Sequence, residues 1–135
     1  MHVRVFMTYV TEFRRVRVDQ IALINISDLQ PYVLLTSGEE VKIDSADRLE
    51  SVMAALDNWT VSSGLGHYRL WQFITPTHQL RVDQIATFNC NPGPGGHYVT
   101  LLSHQKQFTV DPDRIDGLND RLNRWLDSTS TQPVH

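Results

Sequence analysis

Arg17-Val18-Asp19-Gln20-Ile21-Ala22 recurs letter for letter as Arg81-Val82-Asp83-Gln84-Ile85-Ala86. In a chain of 135 residues, such a repeat comes before any other reading, because self-similarity at a fixed spacing decides how many structural units the chain holds. The surroundings agree. Val3-Arg4-Val5-Phe6 aligns with Tyr68-Arg69-Leu70-Trp71, Asn25 with Asn89, and Tyr32–Leu35 with Tyr98–Leu101. Further on, Asp47-Arg48-Leu49 aligns with Asp113-Arg114-Ile115, and Val52, Leu56 and Trp59 fall on Leu118, Leu122 and Trp125. The offset drifts only at loops, where insertions collect.

Each copy has the same succession of hydrophobic periods. Val3–Tyr9 alternates and predicts a strand. Phe13–Ile26 is a second extended run, broken near Asp19-Gln20. Tyr32–Thr36 and Glu40–Ile43 form a hairpin around Ser37-Gly38, with glycine supplying the turn. The period then changes: Leu49, Val52, Met53, Leu56 and Trp59 make one helical stripe, with Ser45 placed to cap it. The second copy reads Tyr68–Thr75, Gln79–Asn89, Tyr98–Ser103 and Gln107–Val110, then a helix opening at Asp111-Pro112. The expected fold class is α+β: two tandem ββββα repeats in a pseudo-twofold arrangement, each with an antiparallel sheet covered by one amphipathic helix. The expected boundaries are 1–60 for the first repeat, 61–66 for a linker, 67–127 for the second repeat and 128–135 for a disordered polar tail.

The bulk properties narrow the function classes. Hydrophobic residues make up 41% of the chain and charged residues 20%, ordinary for a globular protein. Residues 1–60 carry six basic and nine acidic side chains, and residues 61–135 carry six of each. Neither half has the basic excess that drives binding to a phosphate backbone. Arg14, Arg15 and Arg17 are flanked by Glu12 and Asp19 and read as a solvated strand face. The one cysteine, Cys90, excludes an intramolecular disulfide, and no stretch is long and apolar enough for a membrane-spanning helix. A cytoplasmic location is expected.

No catalytic, metal or cofactor signature is present. The histidines at positions 2, 67, 78, 97, 104 and 135 lack metal-site spacing, and Cys90 reads as a small packed side chain of a strand. Two features remain. Arg17, Asp19, Gln20, Arg81, Asp83 and Gln84 are retained polar residues in repeats that have otherwise drifted. They read either as the structural bend of a long strand or as a symmetric pair of ligand contacts. The loop Asn91-Pro92-Gly93-Pro94-Gly95-Gly96-His97 replaces a shorter segment of the first copy, and it is the expected partner-binding surface.

The pattern formed by Val18, Ile21, Val33, Leu35, Gly38, Val41, Leu49 and Val52, and again by Val82, Ile85, Val99, Leu101, Phe108, Ile115 and Leu118, resembles the small FlbD-like family of flagellar-associated bacterial proteins. It also resembles the first half of LytTR-type DNA-binding domains. Those domains read DNA with polar and basic residues in a later segment, for which this chain shows no match. The leading expectation is therefore a non-enzymatic protein-interaction module, an adaptor or inhibitor of the size that viruses and mobile elements encode. Its expected partner is another protein or, through exposed sheet edges, a second copy in a homodimer. Nucleic acid is not expected as a partner. Binding of a small ligand or nucleotide between the repeats, and DNA binding of the LytTR kind, stand as alternatives.

Overall fold

The computed structural model describes residues 7–27, 29–62, 71–90 and 96–130. The first half contains strands β1 (Met7–Thr11), β2 (Arg14–Arg17), β3 (Ile21–Asn25), β4 (Tyr32–Leu35) and β5 (Glu40–Lys42), followed by helix α1 (Ala46–Ser62). The second half contains β6 (Trp71–Phe73), β7 (His78–Arg81), β8 (Ile85–Cys90), β9 (His97–Leu101) and β10 (His104–Thr109), followed by α2 (Ile115–Ser130). The expected strand start at residues 3–6, the segment 68–70 and residues 131–135 of the tail lie outside the described residues.

The fold is mixed α+β with antiparallel sheets and two helices, but its strands are not shared out as the repeat predicted. Each long extended run is two strands, not one. A 3-10 turn at Val18–Gln20 separates β2 from β3, and a matching turn at Val82–Gln84 separates β7 from β8. The turns sit on the identical hexapeptide. They direct the chain from one sheet into another, so the halves do not form one sheet each. Strands β1 and β2 form a hairpin of their own, β10-β9-β8 form a second sheet, and the central sheet has the order β5-β4-β3-β7-β6. Strand β3 of the first half therefore pairs with β7 of the second, with Leu23 opposite Leu80 and Asn25 opposite His78.

These sheets stack in layers around two cores. One core joins Val10, Val16 and Val18 to Ile21, Ile24 and Val33 of the central sheet and to Leu49, Val52, Leu56 and Trp59 of α1. The other joins Ala22, Leu23, Leu34 and Leu80 to Val99, Leu101 and Phe108 of the outer sheet and to Leu118 of α2. Strand β3 contributes to both, so all five of its residues are buried. The uninterrupted apolar run Ile21–Ile24 is what burial on both faces demands.

Local signals place the connections. The Ser45 hydroxyl accepts a hydrogen bond from Arg48 N at 3.2 Å, capping α1 as its sequence suggested. Gly38 turns the β4–β5 hairpin at φ +91°, and a Cβ there would lie 2.8 Å from the carbonyl oxygen of Ser103 in the β9–β10 turn. Asp111 makes no side-chain cap; α2 is instead entered through a 3-10 turn, Pro112–Arg114. Helix α1 continues to Ser62 and α2 to Ser130, past the expected boundaries at 60 and 127.

Since Leu23 is wholly buried between two layers, Leu23→Ala is expected to cost about 2–5 kcal/mol. Leu102→Ala, at a side chain 67% exposed, is expected to change stability by less than about 0.5 kcal/mol. Denaturant unfolding of the two variants checks both values.

Candidate nucleic-acid interface

The β1–β2 hairpin has two unlike faces because a strand alternates its side chains. Thr8, Val10 and Val16 turn inward and are buried, whereas Met7, Tyr9, Arg15 and Arg17 turn outward. Register sets Tyr9 opposite Arg15 and Met7 opposite Arg17, so each cation on this face has an apolar neighbour across the ladder. The Arg15 guanidinium lies 5.4 Å from the centre of the Tyr9 ring. At the hairpin turn Phe13 is 91% exposed. Alternation in the sequence held the signal for Met7 and Tyr9. Nothing in it marked Phe13 as a solvated aromatic.

Two of the three arginines have carboxylate partners. Arg14 meets Glu39, distant in sequence, at 2.5 Å, whereas the sequence pointed to Glu12. Arg17 grips Asp19 with Nε at 3.0 Å and Nη2 at 2.6 Å. This contact holds the Asp19 carboxyl below its usual range and raises Arg17 above its own. Among the described residues no carboxylate pairs with Arg15. A groove of about 300 Å³ runs beside the hairpin, lined by Arg14, Arg15 and Arg17 together with Gln20, Thr36 and Ser37. The hairpin thus offers guanidinium donors, suited to phosphate or guanine edges, next to aromatic surfaces that stack on bases.

The second Arg-Val-Asp-Gln motif has the same bond geometry in another environment. Arg81 donates to Asp83 from Nε at 3.0 Å and from Nη2 at 2.6 Å. Its Nη1 also reaches the carbonyl oxygens of Asp19 at 2.7 Å and Ile21 at 3.3 Å, and its guanidinium lies 4.9 Å from the Trp59 ring centre. The two motifs therefore do come together, but the Arg81 side chain fills their junction. Val18 and Val82 are fully buried behind the clasps, so Arg-x-Asp serves as the lock of a 3-10 turn. Gln20 accepts a hydrogen bond from the Thr36 hydroxyl. Gln84 O accepts from Leu102 N at 2.9 Å.

Of the long loop, Asn91, Pro92, Gly93, Pro94 and Gly95 lie outside the described residues. Gly96 has φ +71° and accepts at its carbonyl from Asn89 Nδ2 at 3.1 Å, while His97 opens β9. Cys90 is exposed at the end of β8 and is not the packed side chain that its strand suggested. On the opposite face of the central sheet, a cleft of about 230 Å³ lies between Tyr32, Thr75 and His78 and the strand segment Lys106–Thr109. His78 Nδ1 is 2.9 Å from the Thr77 hydroxyl and 3.1 Å from that of Thr75. Burial, and then the nearby Lys106 charge, lower its affinity for a proton.

Comparison with solved structures places this architecture. The chain is similar in fold to the LytTr DNA-binding domain of a response regulator from Bacillus cereus, with a TM-score of 0.57 and 9% sequence identity over 90% of this chain and 98% of that one. No family model matches the sequence, and no curated protein matches it. The likeness corrects two expectations. Each repeat resembled half of such a domain, yet the whole chain spans a whole one. A protein-interaction module was the leading reading from the lack of a catalytic or metal signature, with nucleic acid set aside on charge balance, and a full-length likeness to a DNA-binding domain contradicts both.

Asp83→Asn weakens the clasp of an arginine whose side chain is only 8% exposed. It is expected to lower stability by about 3 kcal/mol or more. Asp19→Asn, on the solvated Arg17, is expected to shift the unfolding midpoint far less; thermal melts of the two variants make the comparison. For His78, the unfolded chain takes up its proton first as pH falls from the ordinary value of 6.5. The stability linked to neutral His78 is therefore complete above about pH 6.5 and declines as pH drops toward the lower folded value. His78→Gln is expected to flatten this decline in melts recorded between pH 7 and 5.

Proposed function

We propose that this chain is a DNA-binding regulatory domain of the LytTR type, non-enzymatic and cytoplasmic. The supporting observation is the full-length likeness of its layered fold to a LytTr DNA-binding domain. The Met7–Arg17 hairpin supplies the contact surface in this reading. A two-stranded ribbon fits the major groove, with Arg15 and Arg17 directed at phosphates or guanine edges and Tyr9 and Phe13 at bases or sugars. The net charge of −3 does not oppose this, because affinity follows the few cations that meet the backbone and not the sum over the chain. We further propose that the two halves derive from one ancestral unit. The identical hexapeptide, its identical clasp and the same order of elements in both halves support this.

Fluorescence anisotropy on random-sequence duplex DNA at stepped salt concentrations tests the reading. Binding is expected to weaken linearly in log–log form as salt rises. Arg15→Ala and Arg17→Ala should each reduce the slope by about one. Failure to retain duplex at low salt would overturn the assignment, and slopes unchanged in both variants would remove the hairpin from it.

A further inference from the structure

We propose that copies of this chain associate head to tail, with the outer edge of β2 in one copy adding to the outer edge of β8 in the next. Among the described residues both edges are open: β2 pairs only with β1, and β8 only with β9. An open edge presents a row of unpaired N–H and C=O groups, and proteins usually protect such edges with charge or proline. Strand β8, Ile85-Ala86-Thr87-Phe88-Asn89-Cys90, has neither. Its Ala86 and Thr87 are exposed, and it is longer than most strands of the fold.

The partner edge follows from a pairing that the chain already makes. Around the two copies of Arg-Val-Asp-Gln-Ile-Ala, the strand after the first turn, β3, pairs antiparallel with the strand before the second, β7. The counterparts of these strands are β8, after the second turn, and β2, before the first; within one chain they lie in different sheets. Joining β8 to β2 of a neighbouring copy repeats the β3–β7 ladder between molecules. Shifting each position by the 64 residues that separate Arg17 from Arg81 turns Leu23–Leu80 into Thr87 opposite Val16 of the next copy. In the same way Ile24–Gln79 becomes Phe88–Arg15, and Asn25–His78 becomes Asn89–Arg14.

Charge selects the same pairing. Two β2 edges would set Arg14, Arg15 and Arg17 against their own kind, whereas β8 carries no charge to repel them. The Arg14–Glu39 pair at the β2 edge is about half exposed on each side and is easily displaced. Because the two edges differ, the contact is heterologous, and it leaves one edge open at each end of an array. It engages the backbone of β2 and leaves the outward side chains of the hairpin available.

The ladder between β3 and β7 extends one step further, with Ile26 N donating to Thr77 O at 2.8 Å. The counterparts of those residues are Cys90 and Phe13. In the proposed pairing Cys90 of one copy faces residue 13 of the next, at a spacing that a disulfide can bridge. Phe13 is 91% exposed, so Phe13→Cys leaves the core untouched. Mild oxidation of that full-length variant is expected to give a ladder of dimers, trimers and longer species. Peptide mapping should show bonds joining residue 13 to residue 90 between chains. Sedimentation of the unaltered chain is expected to give an average mass that keeps growing with concentration. A mass that stays monomeric or stops at the dimer, cross-links joining only Cys90 to Cys90, a bond within one chain, or an equal yield from Arg124→Cys on α2 would each overturn the proposal.

Discussion

Strand β3 has no face of its own to give to solvent, and the rest of the molecule is arranged around that constraint. Ile21 and Ile24 belong to the core beneath α1, while Ala22 and Leu23 belong to the core beneath α2. A strand buried on both faces must be flanked on both edges as well, or its backbone groups would be left without partners. The edges are supplied by β4 from the same half and β7 from the other. The two halves therefore share one central sheet: the buried residues beneath α1 all come from the first half, with partly buried Trp71 packed against them, whereas the core beneath α2 draws on both halves.

The junction between them is electrostatic. Arg17 and Arg81 hold their aspartates with the same pair of hydrogen bonds, yet the first is solvated and the second is buried. Removing a guanidinium from water is costly unless its donors are matched. At Arg81 the match is made by the Asp83 carboxylate, two carbonyls of the other half and the face of Trp59. One motif thus turns the chain in both halves, and in the second it also ties the halves together.

Much of this was legible in the sequence. The α+β class, the Gly38 turn, the Ser45 cap and the helical stripe from Leu49 to Trp59 each rest on local chemistry that a short window contains. The break at Asp19-Gln20 was also legible, but its consequence was not. Whether a bend continues a strand or moves it into another sheet depends on the partners of Val18 and Ile21, and those lie far along the chain. The same limit applies to the arginines. Glu12 and Asp19 look like their partners by proximity, yet Glu39 takes Arg14, and no described carboxylate takes Arg15. Counting charge over a half averages out a hairpin whose outward face is defined only by register. A LytTR-like resemblance was visible for a related reason: core positions show in a pattern of apolar residues, while the strand pairing that spreads the likeness over the whole chain does not.

The crossing of β3 and β7 also fixes an order of events during synthesis. Chains emerge from the ribosome N-terminus first, and domains fold as their parts become available. When residues up to Ser62 have emerged, β1, β2, β4, β5 and α1 can close over one side of Ile21–Asn25, but Leu23 still lacks the layer that covers it. That layer and the strand for its second edge lie from His78 onward. The nascent half thus displays an uncharged apolar strand with an unpaired edge, a surface that general chaperones hold, until the second half arrives to cover it.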